Sequence, residues 1–281
     1  MAGRYGSSSN RRSRKRASAP RQNHRSLAVE PLEARRLLSI TPELHGIGVE
    51  FMGDDASDSL FLQASPEGLL EFSQTGLANS FTSDLNPDAA GDQIFKLTEG
   101  FTITVDLSSG DDLLSLDASL ISEMADPGCT LAFDGGSGDD AIRGADLDTT
   151  WNLTGPDAGQ AAGVEFTNVE NITGASSQND AFVFQPGATI TGEIVGGGGV
   201  NTLDFTPVEE NLQFTLHEDG TVSVDSDPNM LSLLGVIPED SLSMLVDSNT
   251  LRNVNNIDVI VAGDGDDTFA LEGGGGIRGC R

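Results

Sequence analysis

The sequence predicts an all-β body built as a solenoid of short strands, and three observations carry that reading. Short apolar segments alternate with Gly/Asp/Asn/Ser turns from residue 40 onward, at 47–51, 60–63, 94–97, 101–107, 113–116, 130–133, 181–184, 202–205, 212–216, 221–224, 258–261 and 268–271. Helical periodicity is nearly absent, with weak patterns only at 117–124 and 239–246. The turns themselves repeat a Gly-Asp motif, and repetition of one corner is the mark of a chain wound in coils.

Composition fits a thin core. The 281 residues include 34 Gly and only 5% aromatics, with 44 acidic against 15 basic side chains and a net charge of -29. Two Cys, 129 and 280, exclude a disulfide framework and a four-thiolate zinc site. Three scattered His, at 24, 45 and 217, leave nitrogen-rich transition-metal sites without ligands, whereas oxygen donors abound, so the metal to expect is a hard one such as calcium. No stretch approaches 18 uninterrupted apolar residues, which predicts no transmembrane segment.

The charge divides the chain. Residues 1–39 hold ten of the 15 Lys/Arg and two acids, a net of +8, which leaves the remainder with five basic against 42 acidic side chains, a net of -37. Residues 1–26, rich in Arg, Ser and Asn, read as a disordered basic leader. Clustered Arg also suits nucleic acid, but a body at -37 repels it, so none is expected there. In residues 27–40 Pro31 opens a short helix with Leu32, Leu37 and Leu38 on its apolar side. Leu32-Glu33-Ala34-Arg35-Arg36-Leu37-Leu38 resembles the LEPR-XLL segment of large surface or secreted proteins of planctomycete-type bacteria, with Ala34 at the usual Pro. That resemblance implies sorting and an extracellular or cell-surface location. It would set the body, 41–281, among cell-surface or extracellular-matrix components.

Within the body, Gly135-Gly136-Ser137-Gly138-Asp139-Asp140-Ala141-Ile142-Arg143 fits every fixed position of G-G-x-G-x-D-x-U-x. Residues 262–270 fit with Ala262 for the first Gly, and 196–204 with Asn201 for Asp; degraded copies lie at 53–60, 109–114 and 177–182. Gly supplies the sharp corner, and the apolar residue two places after Asp starts the next strand. Stacked corners bring carboxylates to about 4.7–4.9 Å, the strand spacing, which calls for a counter-ion. The equivalent Asp/Asn positions, 112, 140, 180, 201 and 267, are unevenly spaced and suit parallel β-helix coils of about 20 residues.

These turns resemble the RTX-type calcium-binding repeats of secreted bacterial proteins, which wind into parallel β-rolls. The resemblance implies calcium, with Asp140 and Asp267 at the carboxylate-ligand position and Gly136, Gly138, Gly263 and Gly265 at the tight-turn and carbonyl positions. Asp111, Asp112, Asp139, Asp180, Asp264 and Asp266 complete the candidate set. After Arg143 the nine-residue register breaks, so the sites are expected to be incomplete and weak. The alternative without metal is that Gly-Asp turns only shape the coils. A related cadence, Asn168-Val169-Glu170-Asn171-Ile172 and Asn253-Val254-Asn255-Asn256-Ile257, suggests coils whose stacked Asn satisfy turn amides.

Other signals are weaker. The G-x-G-x-x-G of residues 274–279 has no following helix, and 225–229 opens like an EF-hand but lacks its Gly and its Glu. No G-x-S-x-G or H-E-x-x-H is present, so no catalytic residues are assigned and an enzyme is not expected. The alternative is a polysaccharide-acting enzyme on a β-helix scaffold, in which Arg143 would be the base. Its plainer role is to relieve repulsion among the Asp. The turn begun at 271–276 leaves the last coil uncapped, which predicts either a fragment of a longer repeat protein or an interrupted reading frame.

Overall fold

The computed structural model describes residues 40–74, 81–85, 91–125, 128–217, 221–226, 251–265 and 267–271. The leader, the LEPR-XLL-like segment before Ile40, the 239–246 pattern and the 274–279 glycines lie outside the described residues. The chain is all-β, as its alternating pattern predicts. It visits two sheets in turn. β1 (Thr41–His45) and β2 (Gly48–Met52) lie in the first sheet, β3 (Ser59–Ala64) and β4 (Leu70–Gln74) in the second, β5 (Thr102–Asp106) in the first and β6 (Leu113–Leu116) in the second. After helix α1 (Ala118–Ala125) come β7 (Thr130–Asp134) in the first sheet, β8 (Ala141–Arg143) in the second, and β9 (Thr149–Gly155), β10 (Ala158–Ala161) and β11 (Val164–Thr167) in the first. β12 (Asn171–Thr173), β13 (Asp180–Phe184), β14 (Ile194–Val195) and β15 (Thr202–Asp204) alternate again. β16 (Leu212–Leu216), β17 (Val222–Ser226) and β18 (Leu251–Asn255) lie in the second sheet, β19 (Val259–Val261) in the first and β20 (Thr268–Leu271) in the second.

Successive visits to a sheet pair in parallel. β2, β5, β7 and β11 run side by side in the first sheet, and β3, β6, β8, β12, β14 and β18 in the second. Two antiparallel meanders interrupt the pattern. β9 lands three strands from β7, and β10 and β11 fold back to fill the gap; β16, β17 and β18 do the same beyond β14. Among the described residues each sheet has ten strands. Antiparallel β1 and β4 flank β2 and β3 at the other end, and residues 82 and 95 hydrogen-bond the outer edge of β4, protecting it from strand addition.

Residues 94–97, expected as a strand, contribute only a bridge from Lys96 to Leu69. The 117–124 pattern is α1, started by Asp117, whose carboxylate accepts the Ser119 N–H at 2.8 Å. Leu120, Ile121 and Met124 face inward from it. Strand side chains alternate in and out, as in β3 and β5, and the inward rows form one continuous core. Aromatics stack from strand to strand, Trp151 on Phe182 (6.0 Å, 14°) and Phe184 on Phe205 (4.5 Å, 11°) within the core, and buried Phe214 on exposed Phe269 (4.7 Å, 10°). A core short of aromatics concentrates them in these columns. No helix among the described residues is long and apolar enough to cross a membrane.

Candidate metal centre at the stacked corners

The turns between strands stack at separate corners. The first corner, from first sheet to second, contains residues 53–58, 107–112, 135–140 and 168–170. The second, running back, contains 144–148, 174–179, 196–201 and 256–258; 205–211 and 262–267 form a third. The Asp/Asn positions that look like one series in sequence therefore belong to three places: 112 and 140 to the first corner, 180 and 201 to the second, 267 to the third. Helix and meander insertions explain the uneven spacing, so a uniform coil of about 20 residues does not describe it.

At the first corner the inner acids form a ladder. Asp58 N–H donates to Asp112 Oδ1 (2.6 Å), Asp112 N–H to Asp140 Oδ1 (2.9 Å), and Asp140 N–H to Glu170 Oε2 (2.8 Å). Each carboxylate satisfies the backbone of the neighbouring coil, which a buried N–H requires. Glu170 ends the row because its turn has only three residues, and the longer side chain makes up the distance. Asp111 and Asp139 sit outside: Asp139 N–H donates to Asp111 Oδ1 at 3.1 Å, and Asn171 Nδ2 to Asp139 Oδ1 at 2.6 Å.

Glycine permits this stacking in two ways. A Cβ on Gly135 would lie 2.7 Å from Asp140 Cβ and 2.2 Å from Asn168 O, so the missing side chain leaves room for the carboxylate; Gly53 stands in the same relation to Asp58. A Cβ on Gly138 would sit 1.6 Å from Gly110 O, and its φ of +153° is one side chains rarely adopt. Gly136 likewise lies against Ser108 O. The corners also bond directly, Ser137 N–H to Ser108 O and Gly110 N–H to Ser137 O. Ser108 holds the same left-handed conformation as Gly136, at φ +68°. Ser108→Gly is expected to stabilise by about 1 kcal/mol and raise the melting temperature, as differential scanning calorimetry would read.

One pair of atoms lacks partners. Asp112 and Asp140 are 2% and 0% exposed, and among the described residues their Oδ2 atoms are the buried side-chain polar atoms without a hydrogen bond. Burial and the neighbouring Asp140, Asp58 and Asp111 carboxylates push Asp112 up to about 6, against the backbone N–H of Asp58 that holds it down. Burial, then Glu170, Asp111 and Asp139, raise Asp140 as well, and burial raises Asp58.

The second corner has the same plan with different chemistry. Asp180 N–H donates to Asn201 Oδ1 (3.0 Å), and Asn201 N–H to Asp258 Oδ2 (2.9 Å). Asp180 is 2% exposed, and burial raises it too, yet both its oxygens are satisfied: Oδ1 by Trp151 Nε1–H (3.1 Å) and Oδ2 by Ala175 N–H (2.7 Å). Asn201 Nδ2 donates to Gly198 O and Asn256 O. On the outside, Asp146 accepts from Ser176 and Ser177, chiefly the Ser177 hydroxyl, which holds it below the usual carboxylate range.

At the third corner Asp267 Oδ1 accepts the Leu212 N–H at 2.9 Å, while Gly263 and Gly265 lie against Val208 O and Glu210 O. Asp264 is exposed, and Asp266 lies outside the described residues. Asp58, Trp151, Glu170, Asn201 and Asp258 take part in the ladders but are absent from the candidate set; of these, Asp58 and Asn201 had motif positions to mark them. The two Asn-Val-x-Asn-Ile runs occupy different corners, the first entering β12 and the second leaving β18.

Among the described residues, no three His, Cys, Asp or Glu side chains converge as a metal shell. The donor chemistry nonetheless fits a hard cation at the first corner, where two buried carboxylate oxygens are unpartnered. Arg143 is exposed on β8 and forms no ion pair among the described residues. No family model, curated protein or solved structure matches this chain.

Proposed function

We propose that the chain is a structural or adhesive repeat protein of the bacterial cell surface or exterior, a β-helix or β-roll-like solenoid whose folding calcium stabilises at its Gly-Asp corners. The alternating visits to two sheets and the parallel pairing support the solenoid. The LEPR-XLL-like segment supports export. The observation that carries the calcium reading is the unpartnered Oδ2 pair of Asp112 and Asp140. These two residues would hold the ion, with Asp111 and Asp139 adding negative potential outside them. The ion supplies charge neutralisation; the chain supplies the stacked coils that keep the acids close.

Binding to the folded state alone stabilises by about 2.7 kcal/mol at a hundredfold excess over Kd. For a body of this size that is a rise of roughly 5–11 °C in melting temperature. Circular dichroism melts in chelator and in millimolar calcium test it, and identical curves would leave a solenoid whose Gly-Asp turns act without metal.

A further inference from the structure

We infer that calcium acts on the first corner and not on the second, which Trp151, Ala175 and Asn201 make independent of metal. The inference rests on the calcium reading above and deepens it by dividing corners that the sequence motif treats alike.

The contrast lies in how each ladder handles its charge. In the first, four acids follow one another, Asp58, Asp112, Asp140 and Glu170, and the two middle rungs each leave an oxygen buried without a partner. A buried anion so placed needs a cation or a proton. In the second, the middle rung is an amide. Asn201 accepts from one coil as the Asp does, but its Nδ2 also donates to two carbonyls, which no carboxylate can do. It separates Asp180 from Asp258, so acids do not meet on adjacent rungs. Asp180 in turn has an indole and an amide where Asp140 Oδ2 has nothing. Trp151 thus takes, at the second corner, the part left to an ion at the first. Asp112 and Asp140 precede Asp180 and Asn201 along the chain and sit at a different corner, so calcium should tighten the first corner and leave the second as it was.

Hydrogen exchange read by mass spectrometry on the full chain, in chelator, calcium or magnesium, tests this. Calcium is expected to slow exchange at least tenfold in peptides covering 53–58, 107–112 and 135–140, with under twofold change at 174–180 and 196–201. Asp140→Asn, which keeps an oxygen for the Asp112 N–H, is expected to abolish the calcium effect while leaving the second corner unchanged. Asn201→Asp is expected to speed exchange at 174–201 in chelator. Equal calcium protection at both corners would overturn the division while leaving the calcium reading standing. No protection anywhere, or the same pattern with magnesium, would overturn the calcium reading itself.

Discussion

Trp151→Ala is expected to cost about 5 kcal/mol, enough to threaten folding in a domain whose whole stability is of order 5–15 kcal/mol. Removing a fully buried Trp from a core costs roughly 3–5 kcal/mol through lost burial and the cavity left behind. Trp151 is 1% exposed, stacks on Phe182, meets Phe166 edge-on, and lies so close to Gly144 that a Cβ there would be 2.7 Å from its ring. It also donates to Asp180 Oδ1, and a buried acceptor losing its partner adds about 1–3 kcal/mol. Trp151→Phe separates the two parts, since it keeps a ring against Phe182 and loses the donor. Urea midpoints should place Trp151→Phe between wild type and Trp151→Ala. A Phe variant as unstable as the Ala variant would show that the hydrogen bond outweighs the packing.

Acidification without calcium is expected to stabilise the fold. Asp112 stands at about 6 in the folded chain against an ordinary 3.8, so between those values the folded state holds the extra proton. Stability is therefore greatest below the window and falls as pH rises through it, by on the order of 2–3 kcal/mol for this one group. Asp140, Asp58 and Asp180 are raised and act in the same sense, whereas exposed Asp146 is lowered and acts oppositely. Melts in chelator should shift upward from pH 7.5 to pH 5. Asp112→Asn should raise the melting temperature at pH 7.5 and flatten the profile; a profile that keeps its slope in this variant would show that other groups dominate.

The alternating apolar segments reveal most of the strands because strand faces write themselves into sequence with period two. The meander β9–β11 is less visible. Its turns, Pro156-Asp157 and Ala162-Gly163, reverse the chain with positive φ at Asp157, Ala162 and Gly163 but lack the Asn-Gly signal that marks a tight hairpin. The Gly-Asp motif identifies the corners, since only Gly tolerates such close approach. It does not reveal which corners stack on which, because that depends on insertions that move 112 and 140 away from 180 and 201. Nor can a motif separate a carboxylate with a free oxygen from one satisfied by a distant indole. Trp151 and Asp180 are 29 residues apart and meet only because β9 and β13 pair in register.

The two meanders bear on how the molecule would yield to a pulling force. In a plain coil stack each strand can peel from its neighbour in turn. Here β18 is joined to β14, β16 to β20, and β17 bridges them, so the three strands are tied to coils on both sides. β9, β10 and β11 are tied in the same way between β13 and β7. Tension applied along the stack would meet two mechanical locks, and extension would come in a few large steps rather than strand by strand.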